Sequence, residues 1–352
     1  MMIPKENNFD HLRLVLAFGV FFFHIAELTQ LSTFQFFKSF ISPAVSVHLF
    51  FIISGFLIFM SYEKSSSLRS YLNKRLRRIA PAYVTVVSML FITLSLLSSL
   101  TLQEYFSSSD SWKYLFFNLG TLNFLQTSLP GVFTSNHLQA VDGSLWTIKI
   151  EVTFYLSVPF IAFLYRWIKP TTLLTVIFVL SALYYNIMGS LAYERQSNLL
   201  LILQHQLPGQ MLFFTAGALL YYQFKYFQKF RHSLFIMAII IFITQYYLHI
   251  YLLYALSLSV IILYIATSIP YMGNISKHGD LSYGIYIWHF PLIQVFIAVG
   301  LFKTHTWLAF VLLVAIVIIF AWLSWHFIEK PFLSERSHYR VLEEEKSSKE
   351  DI

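Results

Sequence analysis

The sequence predicts an all-α, polytopic membrane protein: a helical bundle of about ten transmembrane helices with both termini in the cytoplasm. Three observations predict it. The 352 residues are 57% apolar and only 12% charged, about half the charge of a soluble domain, and mean hydropathy is +0.64. Apolar runs of about 20 residues, long enough to cross roughly 30 Å of hydrocarbon, recur along the chain. Lys and Arg concentrate in alternate loops, as the positive-inside rule requires.

The expected spans are 10–29, 43–62, 79–100, 145–166, 171–188, 201–224, 233–249, 251–268, 281–301 and 306–328. The first reads as a retained span and not a cleaved signal, because it is long and its front end carries Glu6 and Asp10. Residues 232–276 hold no Asp, Glu, Lys or Arg, so the seventh and eighth spans are expected to join in a tight turn near His249. Segment 112–126 is apolar but short and dotted with Asn, which reads as an interfacial or re-entrant piece. Placing the N-terminus inside puts the basic runs at 64–78, 225–231 and 330–349 in the cytoplasm and leaves Lys38, Lys113, Arg195 and Lys303 outside. Residues 1–332 thus read as one transmembrane domain, and 333–352 as a charged, solvated cytoplasmic tail.

The chain has no Cys, which excludes disulfides, thiolate metal sites and a Cys nucleophile. The net charge of +7 is accounted for by cytoplasmic loops of a membrane protein, so no nucleic-acid partner is expected.

Charged and polar residues inside spans are costly, about 2.5–3.5 kcal/mol for a charge at mid-bilayer, and are therefore functional candidates. Arg13 and His24 lie eleven residues apart in FDHLRLVLAFGVFFFHI. That spacing returns to nearly the same helix face and separates them by about 16 Å. His24 then sits near mid-bilayer, where a histidine is suited to general-base chemistry; a packing histidine hydrogen-bonded between helices is the alternative. Arg75 and Arg78 in LNKRLRRIAPAYV are three apart, hence on one face. Paired guanidiniums suit phosphate oxygens, although cytoplasmic loops are basic in any case. Pro81 is expected near the start of the helix that follows.

Glu151 falls inside the fourth span in DGSLWTIKIEVTFYL, with its partner and that of Lys149 expected on other helices. His289 in LSYGIYIWHFPLI lies at a depth like that of His24, beside Pro291, which frees backbone groups. Glu329 closes the tenth span in WHFIEKPF; a helix-end charge reaching for water is the ordinary reading. His48, Gln204, His205 and Gln210 are read as helix–helix hydrogen-bonding residues.

At these residues the sequence resembles the acyltransferase family 3 integral membrane proteins. The resemblance runs from Phe9 to Phe332 and rests on FDHLRLVLAFGVFFFH, VHLFFIISGFLI, YLNKRLRRIAP, GSLWTIKIEVTFYL, LSYGIYIWHFPL and HFIEKPF, in that order. It implies an O-acyltransferase, usually of acetyl groups, acting on surface glycans such as lipopolysaccharide O-antigen, capsule or exopolysaccharide. The family's essential histidine falls on His24 and its paired arginine on Arg13. The donor-side arginine pair falls on Arg75 and Arg78, the fourth-span carboxylate on Glu151, the final glutamate on Glu329, and the ninth-span histidine on His289. The chain departs from the family pattern at His11, at His48 and at Val152, which follows Glu151 where a second carboxylate is common.

The resemblance makes His24, Glu151 and His289 the catalytic candidates, and Arg13, Arg75, Arg78 and Glu329 the donor-binding ones. It implies acetyl-CoA or another acyl-CoA as donor substrate, no permanently bound cofactor and no metal. The expected partners are acyl-CoA, an envelope glycan or lipid-linked glycan acceptor, and membrane lipid, with self-association of the chain compatible. The expected location is the bacterial cytoplasmic (inner) membrane. A transporter or flippase of an envelope precursor would use similar buried polar residues, but no paired repeats are visible and Gly is scarce, at 12 residues, where transporter sites often use Gly/Pro-broken helices.

Overall fold

A computed structural model describes residues 6–39, 42–248 and 250–334. The charged tail beyond residue 334 and the turn at His249 lie outside the described residues. The described chain is built of helices joined by turns and loops, with no strand among the described residues. Its helices are α1 (Phe9–Thr29), α2 (Pro43–Glu63), α3 (Leu68–Thr93), α4 (Leu102–Ser107), α5 (Ser109–Leu119), α6 (Trp146–Leu164), α7 (Pro170–Glu194), α8 (Asn198–Gln204), α9 (Leu207–Tyr222), α10 (Phe224–Leu248), α11 (Tyr251–Thr267), α12 (Ser282–Ala298), α13 (Leu301–Thr304), α14 (Thr306–Leu323) and α15 (Lys330–Phe332). A π-helical turn, Ser324–Glu329, joins α14 to α15.

Among the described residues, seven stretches of helix are long and apolar enough to cross a membrane. They begin at Phe9, Pro43, Leu68, Trp146, Pro170, Phe224 and Thr306. The helices α11 and α12 are apolar but shorter. Large side chains such as Phe160, Leu180, Ile236, Ile240, Ile243, Val311 and Ile319 point outward and are exposed. That much outward apolar surface has no place in water and suits a lipid surround.

Two local expectations are corrected. The basic run before the third span belongs to the helix itself: α3 begins at Leu68, so Pro81 is an interior proline rather than one near the start. The run from 201 to 224 is broken between α8 and α9. Pro208 suits the first turn of α9, and the Gly209 α-carbon faces the Gln204 carbonyl too closely for any side chain. The segment at 112–126 is occupied by α5 and a short 3-10 turn, and the irregular chain runs on to residue 145.

The described chain forms two compact units. Among the described residues, one holds those within 6–12, 47–72 and 150–273, the other those within 13–46, 73–149 and 274–334. In the first, α7 packs on α9 and α10 on α11. There α2 and α9 approach through reciprocal glycines: a side chain at Gly55 would strike the Phe214 carbonyl, and one at Gly217 the Ile52 carbonyl. Small residues permit such backbone contact between apolar helices. In the second unit α12 packs along α14, and Gly284 allows it, because an added Cβ would lie 2.7 Å from the Ala321 Cα.

The glycine crossing makes a prediction. Gly217→Leu should lower the thermal midpoint of the detergent-solubilised protein by an amount equivalent to about 3 kcal/mol, the upper range for overpacking. Leu at Gly273, where a side chain would meet nothing within 4 Å, should cost less despite its positive φ. A Gly217→Leu protein as stable as the parent would remove the close crossing from the fold.

Candidate functional site

The second unit brings together five of the seven candidate residues in two groups, each linking α1 to α12. At the first group, Arg13 Nη1 lies 3.0 Å from Asp280 Oδ2. Arg78 of α3 donates to the same oxygen and, at 3.2 Å, to Glu329 Oε2. Asp280 uses its other oxygen to accept from the Ser282 backbone N–H at 3.1 Å, which fixes it at the start of α12. Ser324 donates to Glu329 Oε1 at 3.0 Å across the π turn. The Arg78 guanidinium is further bracketed by the Tyr283 and Trp325 rings, each 5.8 Å away. Two cations and two anions thus neutralise one another where desolvation would penalise any of them alone.

Glu329 is 1% exposed. It does not reach for water, because the π turn directs it inward to Arg78. Arg75 lies on the Arg78 face of α3 and is half-buried, while Arg77 is exposed. Asp280 was not anticipated from the sequence. The only signal was an acid directly before the ninth span in a chain whose inner loops are otherwise basic.

At the second group, His24 Nδ1 and His289 Nε2 are 2.8 Å apart, and the rings are stacked at 13°. His289 Nδ1 lies 3.1 Å from the Ile285 carbonyl oxygen, one turn back on α12. A carbonyl only accepts, so His289 Nδ1 carries a proton. In neutral His289 the Nε2 lone pair must then accept from His24 Nδ1–H. This leaves a neutral His24 with an unprotonated Nε2, the atom a base or nucleophile needs. His289 is fully buried, whereas His24 is only partly so. Phe21 and Tyr286 pack edge-on to His289, and Phe290 packs edge-on to His24.

The two groups are separated by eleven residues on α1 and nine along the α12 segment. The order matches on both helices, so α1 and α12 run parallel, with the imidazoles about 16 Å along from the charge cluster.

Glu151 lies in the first unit. Tyr155, four residues on in the same helix, donates to its carboxylate; this partner is on its own helix, not on another as expected. The Lys149 ammonium, in the second unit, sits 4.6 Å from the centre of the Phe124 ring. His48 stacks on Phe213 at 3.6 Å and lies 3.5 Å from the Tyr254 hydroxyl, a packed helix–helix position. Gln204 donates to the Tyr185 carbonyl at 2.9 Å. Among the described residues no group of three or more His, Asp or Glu is placed to hold a metal ion.

Comparison with known proteins identifies the family. The acyltransferase domain family matches residues 6–326, which contain both imidazoles and the Arg13–Asp280–Arg78 cluster. Nodulation protein 10 of Rhizobium leguminosarum bv. viciae is 29% identical over 94% of each chain. An O-acetyl transferase of Shigella phage Sf6 is 27% identical over 95% of this chain and 98% of its own. The peptidoglycan O-acetyltransferase OatA of Listeria monocytogenes is 27% identical over 82% of this chain, which matches 51% of that longer protein. No solved structure matches the chain. The match runs through every helix that carries the imidazoles and the arginines, and the chain therefore belongs to the acyltransferase 3 family and is an acyltransferase.

Proposed function

We propose that the protein O-acetylates a cell-surface glycan, taking the acyl group from acyl-CoA in the cytoplasm and delivering it to a carbohydrate hydroxyl at the bacterial inner membrane. Lipopolysaccharide O-antigen, capsule and exopolysaccharide are the acceptor class. The relatives named as O-acetyl transferases support the group transferred. The observation that carries the reading is the hydrogen-bond chain from the Ile285 carbonyl through His289 to His24.

In this reading His24 Nε2 takes the proton from the acceptor hydroxyl. The oxygen attacks the thioester carbonyl, a carbon–oxygen bond forms, and the carbon–sulfur bond breaks. The CoA thiolate leaves with the proton held by His24. Protonation of His24 makes its Nδ1–H bond to His289 charge-assisted and so stronger when charge develops. His289 is a positioning residue, because it fixes the His24 tautomer.

The donor enters at the charge cluster. Arg75 and the neighbouring basic residues of α3 meet its phosphates, while Arg78, Arg13, Asp280 and Glu329 shape and rigidify the entrance. Glu151 is assigned to orienting the acceptor or the histidine on the family resemblance alone. The parallel course of α1 and α12 requires an odd number of crossings between them. The seven helices of 16 residues or more that intervene support ten crossings with both ends cytoplasmic.

His24→Ala should leave the protein in the membrane and abolish transfer of labelled acetyl from acetyl-CoA to glycan; transfer at the parent rate would refute the role of His24. His289→Ala should slow transfer about 10²–10⁴-fold, the usual worth of acid–base positioning. His289→Gln should recover part of this, since an amide can accept from His24 and donate to Ile285. Equal rates in the two His289 variants would deny the tautomer argument. Arg75→Ala should raise the KM for acetyl-CoA roughly tenfold, the loss of about 1.4 kcal/mol, with kcat little changed. An unaltered KM would leave Arg75 as a topology signal only.

A further inference from the structure

The stretch GSLWT, residues 143–147, opens the fourth-span motif and packs against α12 at the level of the imidazole pair. Two residues of α12 receive it. Tyr286 and Phe290 are four apart, so they share a face one turn from each other. The Tyr286 ring stands edge-on to His289 with ring centres 5.8 Å apart, and the Phe290 ring edge-on to His24 at 5.2 Å. Each imidazole thus has an aromatic wall supplied by α12. Thr147 touches one wall and Gly143 the other.

Thr147 tethers the first wall. Its hydroxyl oxygen is 2.7 Å from the Tyr286 hydroxyl and 2.9 Å from the Ser144 carbonyl oxygen. A carbonyl only accepts, so the single hydroxyl hydrogen of Thr147 goes to Ser144, and the Tyr286 phenol donates to Thr147. Ser144 is fixed in turn. Asp142, 7% exposed, accepts at Oδ1 from the Ser144 N–H at 2.9 Å and from the Ser144 hydroxyl at 2.7 Å. Gly143 makes room for the second wall. A Cβ there would lie 2.8 Å from two carbons of the Phe290 ring. Phe290 is 2% exposed, so its ring could yield only by pressing on its packed neighbours, and His24 is one of them.

The walls matter because hydrogen bonds alone leave His24 loosely aimed. The torsion that turns an imidazole has broad minima, and His24 is bonded to His289 at Nδ1. The direction of Nε2, the atom that would take the proton, is narrowed by the rings packed around the pair. We propose that Thr147 and Gly143 are positioning residues for acyl transfer, Thr147 by tethering Tyr286 beside His289 and Gly143 by leaving Phe290 its place beside His24. This rests on the acyl-transfer reading above and gives the polar start of the fourth span a part in it. Neither residue needs to touch a substrate; both act on the aim of the base through rings of α12.

The test uses the full-length protein in detergent, labelled acetyl-CoA, and as acceptor the cells' own envelope glycan stripped of ester-linked acetyl by mild alkali. For each variant kcat is measured beside both KM values and the thermal midpoint. Tyr286→Phe and Thr147→Val each break the tether, and each should lower kcat about tenfold with both KM values at the parent level. The double variant should be no slower than the slower single one, because both changes remove the same bond. Thr147→Ser keeps the hydroxyl and should retain most of the parent kcat. Gly143→Ala should lower kcat about 10²-fold, the effect of a displacement of about an ångström. Parent kcat in the tether variants, or in a folded Gly143→Ala protein, would overturn the proposal. So would a loss confined to a KM, or a Thr147→Ser protein as slow as Thr147→Val. A packing role alone would lower the thermal midpoint and leave kcat unchanged, which also overturns it. If Gly143→Ala does not fold, the tether variants decide alone. Absence of any transfer by the unsubstituted protein would instead sink the acyl-transfer reading itself.

Discussion

The second unit depends on the double attachment of α1 to α12. Arg13 meets Asp280 near one end and His24 meets His289 near the other. Neither link suffices alone. A salt bridge fixes one point and leaves the helix free to turn about it; a second polar contact eleven residues on fixes rotation and register together. In an apolar surround each polar group has few other partners, so a slipped register would strand charges and imidazoles at a cost of several kcal/mol. The polar residues that a membrane helix can least tolerate are thereby the ones that specify its pairing.

The same economy explains the charge cluster. Arg78 on α3 and Glu329 on the π turn join Arg13 of α1 and Asp280 at the start of α12, so four segments converge on four charges that sum to zero. Replacing such a set with apolar residues is often neutral for stability, which makes stability a weak reason to keep it. Under the proposed function its position at the α1 and α12 ends, beside the basic face of α3, gives a better one: a phosphate-bearing donor would need a stiff cationic doorway. The π turn belongs to this device. A regular helix would carry Glu329 to another face; the wider turn swings it toward Arg78 and lets Ser324 hold its second oxygen.

Under the proposed function, the imidazole pair has the logic of a positioned base. A backbone carbonyl is the most reliable acceptor in a helix, and Ile285 uses it to settle the proton on His289. From there the assignment passes to His24 with no carboxylate in the chain of bonds. An acid in that place would have brought a charge to mid-bilayer; a neutral histidine transmits the same directional information without one.

The sequence by itself determined the helical class, the apolar segments, the absence of cysteine chemistry and the residues that carry the family's pattern. Those features are local: a run of apolar residues reads as a helix because its backbone must bond internally in lipid, and Arg13 and His24 share a face because 3.6 residues make a turn. Only the tertiary structure decided who partners whom. His24 with His289, Arg78 with Asp280 and Glu329, and Gly143 against Phe290 join positions far apart in the chain, and no local periodicity encodes such pairings. Glu329 read as a helix-end charge because its π turn is a deviation of one residue in the helical repeat, invisible to a pattern built on the regular period. Asp142 and Asp280 escaped notice for the same reason: each sits just outside an apolar segment, where acids are commonplace, and only the folded chain shows that both are buried.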